Sequence, residues 1–128
     1  MLVPTMGALH EGHLDLVRQG AEMGQVVVTI FVNPTQFGPN EDFGSYPRTL
    51  QRDLELLANL PVAGVFAPET REIYGSGLEV TIQPGNRGQG LCGGDRPGHF
   101  AGVLTVVAKL FGLICPDLAI FGRKDAQQ

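Results

Sequence analysis

The 128 residues suffice for one domain with a real core, and 43% hydrophobic with 17% charged residues is a globular composition on the apolar side. A formal net charge of −4 argues against a general nucleic-acid surface, which needs a basic excess. No apolar run reaches membrane-spanning length, and no basic leader precedes Pro4, so neither a membrane span nor a signal peptide is expected. Cys92 and Cys115 lie far apart in a chain without secretory features and read as reduced thiols of a cytosolic protein.

In chain order, Met1-Leu2-Val3 reads as the end of a strand. Leu14, Val17 and Ala21 then recur at helical spacing, with Asp15, Arg18 and Glu22 on other faces. Between strand and helix lies Pro4-Thr5-Met6-Gly7-Ala8-Leu9-His10-Glu11-Gly12-His13. A helix N-terminus has unpaired N–H groups and a positive dipole end, and phosphate binds there readily. Gly7 and Gly12 would let backbone approach a ligand, and His10 and His13 could donate to phosphate oxygens or protonate a leaving group. The same pair also fits an ordinary helix cap or a solvent contact. As metal ligands the two histidines lack company, the nearest other histidine being His99.

Residues 26–32 are an apolar, β-branched run suited to a strand buried on both faces of a parallel sheet. Asn33-Pro34-Thr35-Gln36-Phe37-Gly38 follows at its C-terminal end, where open α/β sheets bind ligands. Asn33 and Gln36 suit hydroxyls and amides, although the same residues also make a plain turn. Residues 39–46 are polar, with Glu41 and Asp42 expected in solvent. Pro47 fits the first turn of a second helix, whose apolar stripe is Leu50, Leu54, Leu57 and Ala58. Asp53 falls off that stripe and reads as a solvated carboxylate, with approach to magnesium as the alternative. A third short strand, residues 62–67, is stopped by Pro68, and residues 69–77 read as a connection.

Leu78, Val80 and Ile82 alternate with polar residues, which predicts a half-exposed strand in a flap or at a sheet edge. Residues 84–99 form the longest loop, with six glycines among sixteen residues. Its Gly88-x-Gly90-x-x-Gly93 match to the dinucleotide fingerprint is rejected, because no strand runs in and no helix opens directly. Arg96 and His99 sit just before the best helix, a second candidate anion site, although His99 could equally pack or cap. That helix carries Phe100, Val103, Leu104, Val107, Leu110, Phe111 and Ile114 on its stripe, with Gly102 and Ala108 small enough for close packing, and Pro116 stops it. Residues 118–121 read as a fourth strand running into Gly122-Arg123-Lys124-Asp125-Ala126-Gln127-Gln128, where Lys124 could neutralise phosphate. Both ends of the chain read as cut.

Four stretches carry a specific resemblance. Pro-Thr-Met-Gly-Ala-Leu-His-x-Gly-His, Phe-Val-Asn-Pro-x-Gln-Phe, Arg-Pro-x-His-Phe-x-Gly-Val-x-Thr-Val-Val-x-Lys-Leu-Phe and Phe-Gly-x-Lys-Asp-x-Gln-Gln are similar, in order, to the signatures of the pantothenate synthetase (pantoate–β-alanine ligase) family. The resemblance implies an α/β fold, the Rossmann-like parallel sheet of the nucleotidyltransferase (His-x-Gly-His) superfamily. Residues 1–128 would be its nucleotide- and pantoate-binding domain, truncated at both ends, without the smaller C-terminal domain and its Lys-Met-Ser-Ser-Arg loop.

The implied reaction is ATP-dependent ligation of pantoate and β-alanine through a pantoyl adenylate, releasing pyrophosphate and AMP. The implied ATP-binding residues are Met6, Gly7, Ala8, Leu9, His10, Glu11, Gly12 and His13, with Gly122, Arg123, Lys124 and Asp125. His10 and His13 would be catalytic, His13 the favoured proton donor, and Arg123 would contribute backbone only. Gln36 would hold pantoate and place β-alanine, and Gln128 would hold pantoate. Pro4, Thr5, Asn33, Arg96 and His99 are candidate pocket-lining residues. Magnesium would accompany ATP, with no ligands assigned, and the family implies a cytoplasmic homodimer that engages neither nucleic acid nor membrane. Alternatives are another nucleotidyltransferase of the superfamily and a non-catalytic nucleotide-binding fragment.

Overall fold

Three short β-branched runs pair side by side as a parallel sheet in the order β1-β2-β3. The strands are β1 (Leu2–Thr5), β2 (Val26–Ile30) and β3 (Val62–Phe66). The computed structural model describes residues 1–38, 41 and 43–128; the expectation for Asp42 lies outside them. Leu2 pairs with Val27 and Thr5 with Ile30, while β2 meets β3 from Val26–Val62 to Thr29–Phe66, with a register shift after Val26. The chain divides into two units. The first holds Met1–Val32, Pro47–Pro68 and Pro116–Asp125, and the second Asn33–Tyr46, Glu69–Cys115 and Ala126–Gln128.

In the first unit, α1 (Glu11–Ala21) lays Leu14, Val17 and Gly20 onto the sheet. Val3, Leu9, Leu14, Val17, Val26, Val28 and Leu57 form its core. Each fully buried aliphatic side chain of this size contributes about 1.5–3 kcal/mol. The fourth strand expected at 118–121 shrinks to one parallel bridge, Leu2 to Ala119. Leu2 N–H donates to Leu118 O at 2.8 Å, and Ile120 N–H donates to Leu2 O at 2.9 Å. Pro4 would make the next donation along that edge, but it has no N–H, so the ladder stops.

The second helix, α2 (Leu50–Leu57), starts at Leu50, so Pro47 precedes its first turn rather than lying in it. Its expected stripe is also rotated. Leu57 is buried, but Leu50, Leu54 and Ala58 are exposed, and Asp53 takes the inward position.

The second unit is built on α5 (His99–Ile114), preceded by α3 (Thr70–Tyr74) and α4 (Cys92–Asp95). Residues 69–77, expected as a connection, hold α3, whose first turn is capped where Glu69 N–H donates to Glu72 Oε2 at 2.6 Å. The alternating residues 78–82 form no ladder. Ile82 N–H donates instead to Thr105 Oγ1 at 2.9 Å, and Val80 is 72% exposed. The glycine-rich loop folds on itself, because a Cβ at Gly93 would stand 1.9 Å from Gly88 O.

On α5 the buried face is His99, Phe100, Gly102, Val103, Thr105, Val106 and Leu110, while Phe111 and Ala108 are exposed. A helix apolar nearly all round has no single face set by period. Gly102 decides the matter: a Cβ there would lie 2.3 Å from Thr35 O and 2.7 Å from Gln36 N. The helix ends at Cys115, in left-handed backbone (φ +49°) before Pro116. Among the described residues no helix is long and apolar enough to cross a membrane.

Gly102→Ala is expected to destabilise the chain by about 1–3 kcal/mol, because backbone rather than a flexible side chain fills the space. Gly112 is exposed and has nothing within 4 Å of a would-be Cβ. Gly112→Ala is therefore expected to gain about 0.5–1 kcal/mol from helix propensity. Denaturant unfolding of both variants checks the opposite signs.

Candidate functional site

The turn that joins β1 to α1 is held from below. Thr5 Oγ1 donates to Thr29 O at 2.7 Å and accepts from Gly7 N–H at 3.2 Å. Gly7 (φ +80°) and Ala8 (φ +50°) then take left-handed backbone, a conformation that costs a residue with a Cβ about 1 kcal/mol or more. The carboxylate of Asp53 secures this turn. Its Oδ2 accepts Ala8 N–H at 3.0 Å, and its Oδ1 accepts Leu9 N–H at 2.8 Å. Thr49 Oγ1 stands 3.3 Å from both oxygens. Asp53 is 1% exposed, so it is neither the solvated carboxylate expected nor a group that faces a hydrated magnesium ion. Ala8 and Leu9, which the resemblance implies in ATP binding, direct their N–H groups to Asp53, and the Leu9 side chain is in the core.

The two histidines cap α1 reciprocally. His10 Nδ1 accepts Gly12 N–H at 3.1 Å, and His13 Nδ1 accepts His10 N–H at 3.3 Å. A neutral imidazole that accepts at Nδ1 carries its proton on Nε2. Cap and donor are therefore not alternatives: each ring caps with one nitrogen and keeps an Nε2–H donor. The rings lie 4.1 Å apart between centroids, His10 exposed and His13 half-buried. Gly12 also fits the cap, because a Cβ there would stand 3.0 Å from His10 Cε1. At Gly7 the same space holds Asp53 Oδ2, at 3.0 Å.

Burial lowers the His13 pKa below its ordinary 6.5, and the positive charges of His10 and Lys124 push the same way, against Asp125 and Asp53. Lys124 thus acts on His13 electrostatically, but its Nζ is paired with Asp125 at 2.8 Å. Residues Arg123–Asp125 form one 3-10 turn, with Arg123 exposed and Gly122 partly buried. Glu11 is exposed and pairs with Arg18 at 2.6 Å. Pro4, Thr5 and Met6 are partly buried.

In the second unit Asn33, 1% exposed, is a hub. Its Nδ2 donates to Gln36 Oε1 at 3.1 Å and to Gly102 O at 3.2 Å. Its Oδ1 accepts from Tyr74 OH at 2.7 Å and from Thr35 Oγ1 at 2.9 Å. Both amide hydrogens are used, so Asn33 orients Gln36 rather than offering donors to a ligand. His99 lies in the first turn of α5, not before it, and is buried. Its Nδ1 meets Gln36 O at 2.9 Å, and its Nε2 meets Arg96 Nη1 at 3.1 Å. A carbonyl only accepts and a guanidinium only donates, so the Nδ1–H tautomer satisfies both.

Arg96 completes the group with a two-point ion pair to Glu41, 2.6 Å from Nε and 3.0 Å from Nη2. Glu41 is therefore not simply in solvent, and Arg96 faces a carboxylate within its own unit rather than waiting for an external anion. That Arg96 pair, with Gly38 N–H, holds the Glu41 pKa down at about 2. Gln128 is exposed, while Gln127 ties the chain end to the glycine-rich loop, its Nε2 donating to Gly90 O at 2.7 Å.

Asp53, Thr49, Tyr74 and Glu41 are the organising residues that sequence reading missed. Asp53 had a signal: it lies three, four and seven residues before Leu56, Leu57 and Leu60, on the helix face that is buried. Among the described residues no group of three His, Cys, Asp or Glu is placed to hold a metal ion.

Comparison with known proteins extends over the whole chain. The family model described as Pantoate-beta-alanine ligase matches residues 1–128. The pantothenate synthetase of Saccharopolyspora erythraea is 58% identical over 129 residues, which cover 99% of this chain and 43% of that protein. That of Moorella thermoacetica is 57% identical, covering 99% and 45%. The crystal structure of pantoate-beta-alanine ligase from Francisella tularensis, complexed with beta-gamma ATP and beta-alanine, is 46% identical with a TM-score of 0.94, covering 99% of this chain and 49% of that one. The chain spans less than half the length of these relatives.

The His13 imidazole is expected to titrate below pH 6.5, read from its ring protons by NMR. Because the folded pKa is depressed, the unfolded chain takes up the proton first on acidification. The His13 contribution to stability is thus present above pH 6.5 and is lost as pH falls through the folded value. Glu41 follows the same sign lower down: its contribution is present above 4.5 and lost between 4.5 and about 2. Glu41→Gln should flatten the stability profile in that window and leave the His13 window in place.

Proposed function

The chain belongs to the pantoate–β-alanine ligase family, and on that premise we propose that it forms the nucleotide- and pantoate-binding part of an ATP-dependent, AMP-forming ligase. The observation that carries this reading is the pair of Nε2–H donors that the reciprocal cap leaves at the N-terminus of α1, beside the charge of Lys124. The relative crystallised with beta-gamma ATP and beta-alanine supports the substrate class.

In the proposed reaction a pantoate carboxylate oxygen attacks the α-phosphorus of ATP, and pyrophosphate leaves. The β-alanine amine then attacks the acyl carbon of the adenylate, and AMP leaves. No protein nucleophile is needed, so positioning and charge stabilisation carry the rate. His10 and His13 donate hydrogen bonds to the phosphate oxygens through Nε2–H; His13, which the resemblance favours as proton donor, holds its proton in this neutral form and stabilises the developing charge by that hydrogen bond. Its lowered pKa keeps it neutral near pH 7, when Nδ1 can still cap and Nε2 can still donate. Lys124 would exchange Asp125 for phosphate, while Met6, Gly7, Gly122 and Arg123 present backbone to the nucleotide. Gln36 and Gln128 orient pantoate, and Gln36 also places β-alanine. His99 and Asn33 support Gln36 from its carbonyl and its side-chain oxygen. Magnesium would arrive as the ATP complex. Asp53 is turned inward and the described residues offer no ligand cluster, so no residue is assigned to the metal and no step passes through it.

Calorimetric titration of the folded chain with ATP is expected to saturate, with tighter binding when pantoate is present. No binding by a folded chain would overturn the reading for these residues. In a chain of the relatives' full length, His13→Ala should slow pyrophosphate release by about 100-fold or more, as expected for loss of a donor to developing charge. A rate near that of the parent would remove His13 from the mechanism.

A further inference from the structure

Asp53 is the buried charge that the proposed chemistry does not use. It sits in the middle of α2, with 1% of its surface exposed, at an inward position that the leucine spacing of the helix leaves off the apolar stripe. Moving a carboxylate out of water is costly unless hydrogen bonds replace hydration. Here they do: two consecutive peptide N–H groups, Ala8 and Leu9, and the Thr49 hydroxyl all point at it. The two N–H groups converge on one carboxylate only because the backbone turns left-handed at Gly7 and Ala8. Gly7 itself cannot carry a Cβ without meeting Asp53 Oδ2 at 3.0 Å and Ile30 Cγ2 at 3.1 Å. The strained turn and the carboxylate therefore require each other.

The next residue after this turn is His10, the N-cap of α1. Its backbone N–H donates to His13 Nδ1, so the direction of the turn sets where both rings stand. We propose that Asp53 is a positioning residue for the histidine pair: its carboxylate clamps the Gly7–Ala8 turn and thereby aims the Nε2–H donors of His10 and His13 at a bound phosphate. The phosphate half of this inference rests on the function proposed above; the clamp itself does not. Asp53 never touches substrate, and its effect runs through the peptide backbone of residues 8–10.

Asp53→Asn is the sharpest probe, because it keeps size and one acceptor oxygen but turns an NH2 group toward one of the two N–H donors. The variant should keep its helical circular dichroism. Amide exchange at Ala8 and Leu9 should accelerate at least tenfold, and the proton–proton contact between the His10 and His13 rings should weaken. The Ile82 amide, bonded to Thr105 in the other unit, should keep its exchange rate. ATP affinity should fall at least tenfold by calorimetry. Unchanged ring contacts and ATP affinity within twofold of the parent would overturn the proposal, even if the variant were less stable. If Asp53→Asn does not fold, Thr49→Val removes the hydroxyl and leaves the carboxylate; faster exchange at Ala8 and Leu9 with shifted histidine signals supports the clamp, and unchanged spectra overturn it. Should the parent itself fail to bind ATP, the proposed function falls, while the exchange and ring-contact readouts still decide whether Asp53 aims the histidines.

Discussion

The pairing of one buried carboxylate with two adjacent peptide N–H groups is the constraint on which the first unit depends. Asp53 reaches from α2 to the turn after β1 and accepts from Ala8 and Leu9. Charge-assisted hydrogen bonds of this kind are worth about 1.5–3 kcal/mol each, and leaving a buried acceptor unpaired costs a comparable amount. That energy exceeds the strain of a left-handed alanine, which explains why Ala8 can hold φ +50°. The turn then delivers the chain to His10, and the helix begins with a cap made of two imidazoles.

That cap makes two readings compatible that spacing leaves as alternatives. His10 and His13 can read as ordinary capping residues or as phosphate donors. An imidazole has two nitrogens, and the helix start uses only Nδ1 of each ring. Capping fixes the tautomer, and the tautomer fixes which hydrogen is offered outward, in the way that a hydrogen bond on one ring nitrogen commonly settles the state of the other. The depressed pKa of His13 preserves this division near neutral pH, because protonation at Nδ1 would abolish its role in the cap. In the second unit the polarity is reversed. His99 donates through Nδ1 to Gln36 O and accepts from Arg96 at Nε2, so it serves the backbone of the Gln36 turn.

Much of the fold is legible in the residues themselves. The valine run of β2, the Leu14–Val17 spacing of α1 and the stop at Pro116 all stand where period and proline chemistry put them. The misreadings share one cause: a pattern fixes a period but not a partner. Leu78, Val80 and Ile82 alternate like a strand, yet among the described residues no neighbouring strand pairs with them. Residues 118–121 have strand composition, but Pro4 withholds the donor they would need. The leucines of α2 suggest one phase for its stripe, whereas a single aspartate with two distant N–H partners turns the helix. The buried roles of Asn33 and Asp53 depend on groups 69 and 45 residues away in sequence, which no local motif displays. The family resemblance points to the histidines and Gln36, but no motif displays that Ala8 and Leu9 turn their N–H groups to Asp53 or that Arg96 faces Glu41.

The most direct test of this account is the protonation site of each histidine, read by long-range nitrogen–proton correlation in the free, folded chain above pH 7. The reciprocal cap requires His10 and His13 to carry their proton on Nε2 and His99 to carry its proton on Nδ1. Finding that pattern would establish that the first pair faces outward with donors while the third is turned to the backbone. A proton on Nδ1 of either His10 or His13 would contradict the account, because that nitrogen could then not accept from the helix start, and the ring would have no fixed direction in which to present its donor.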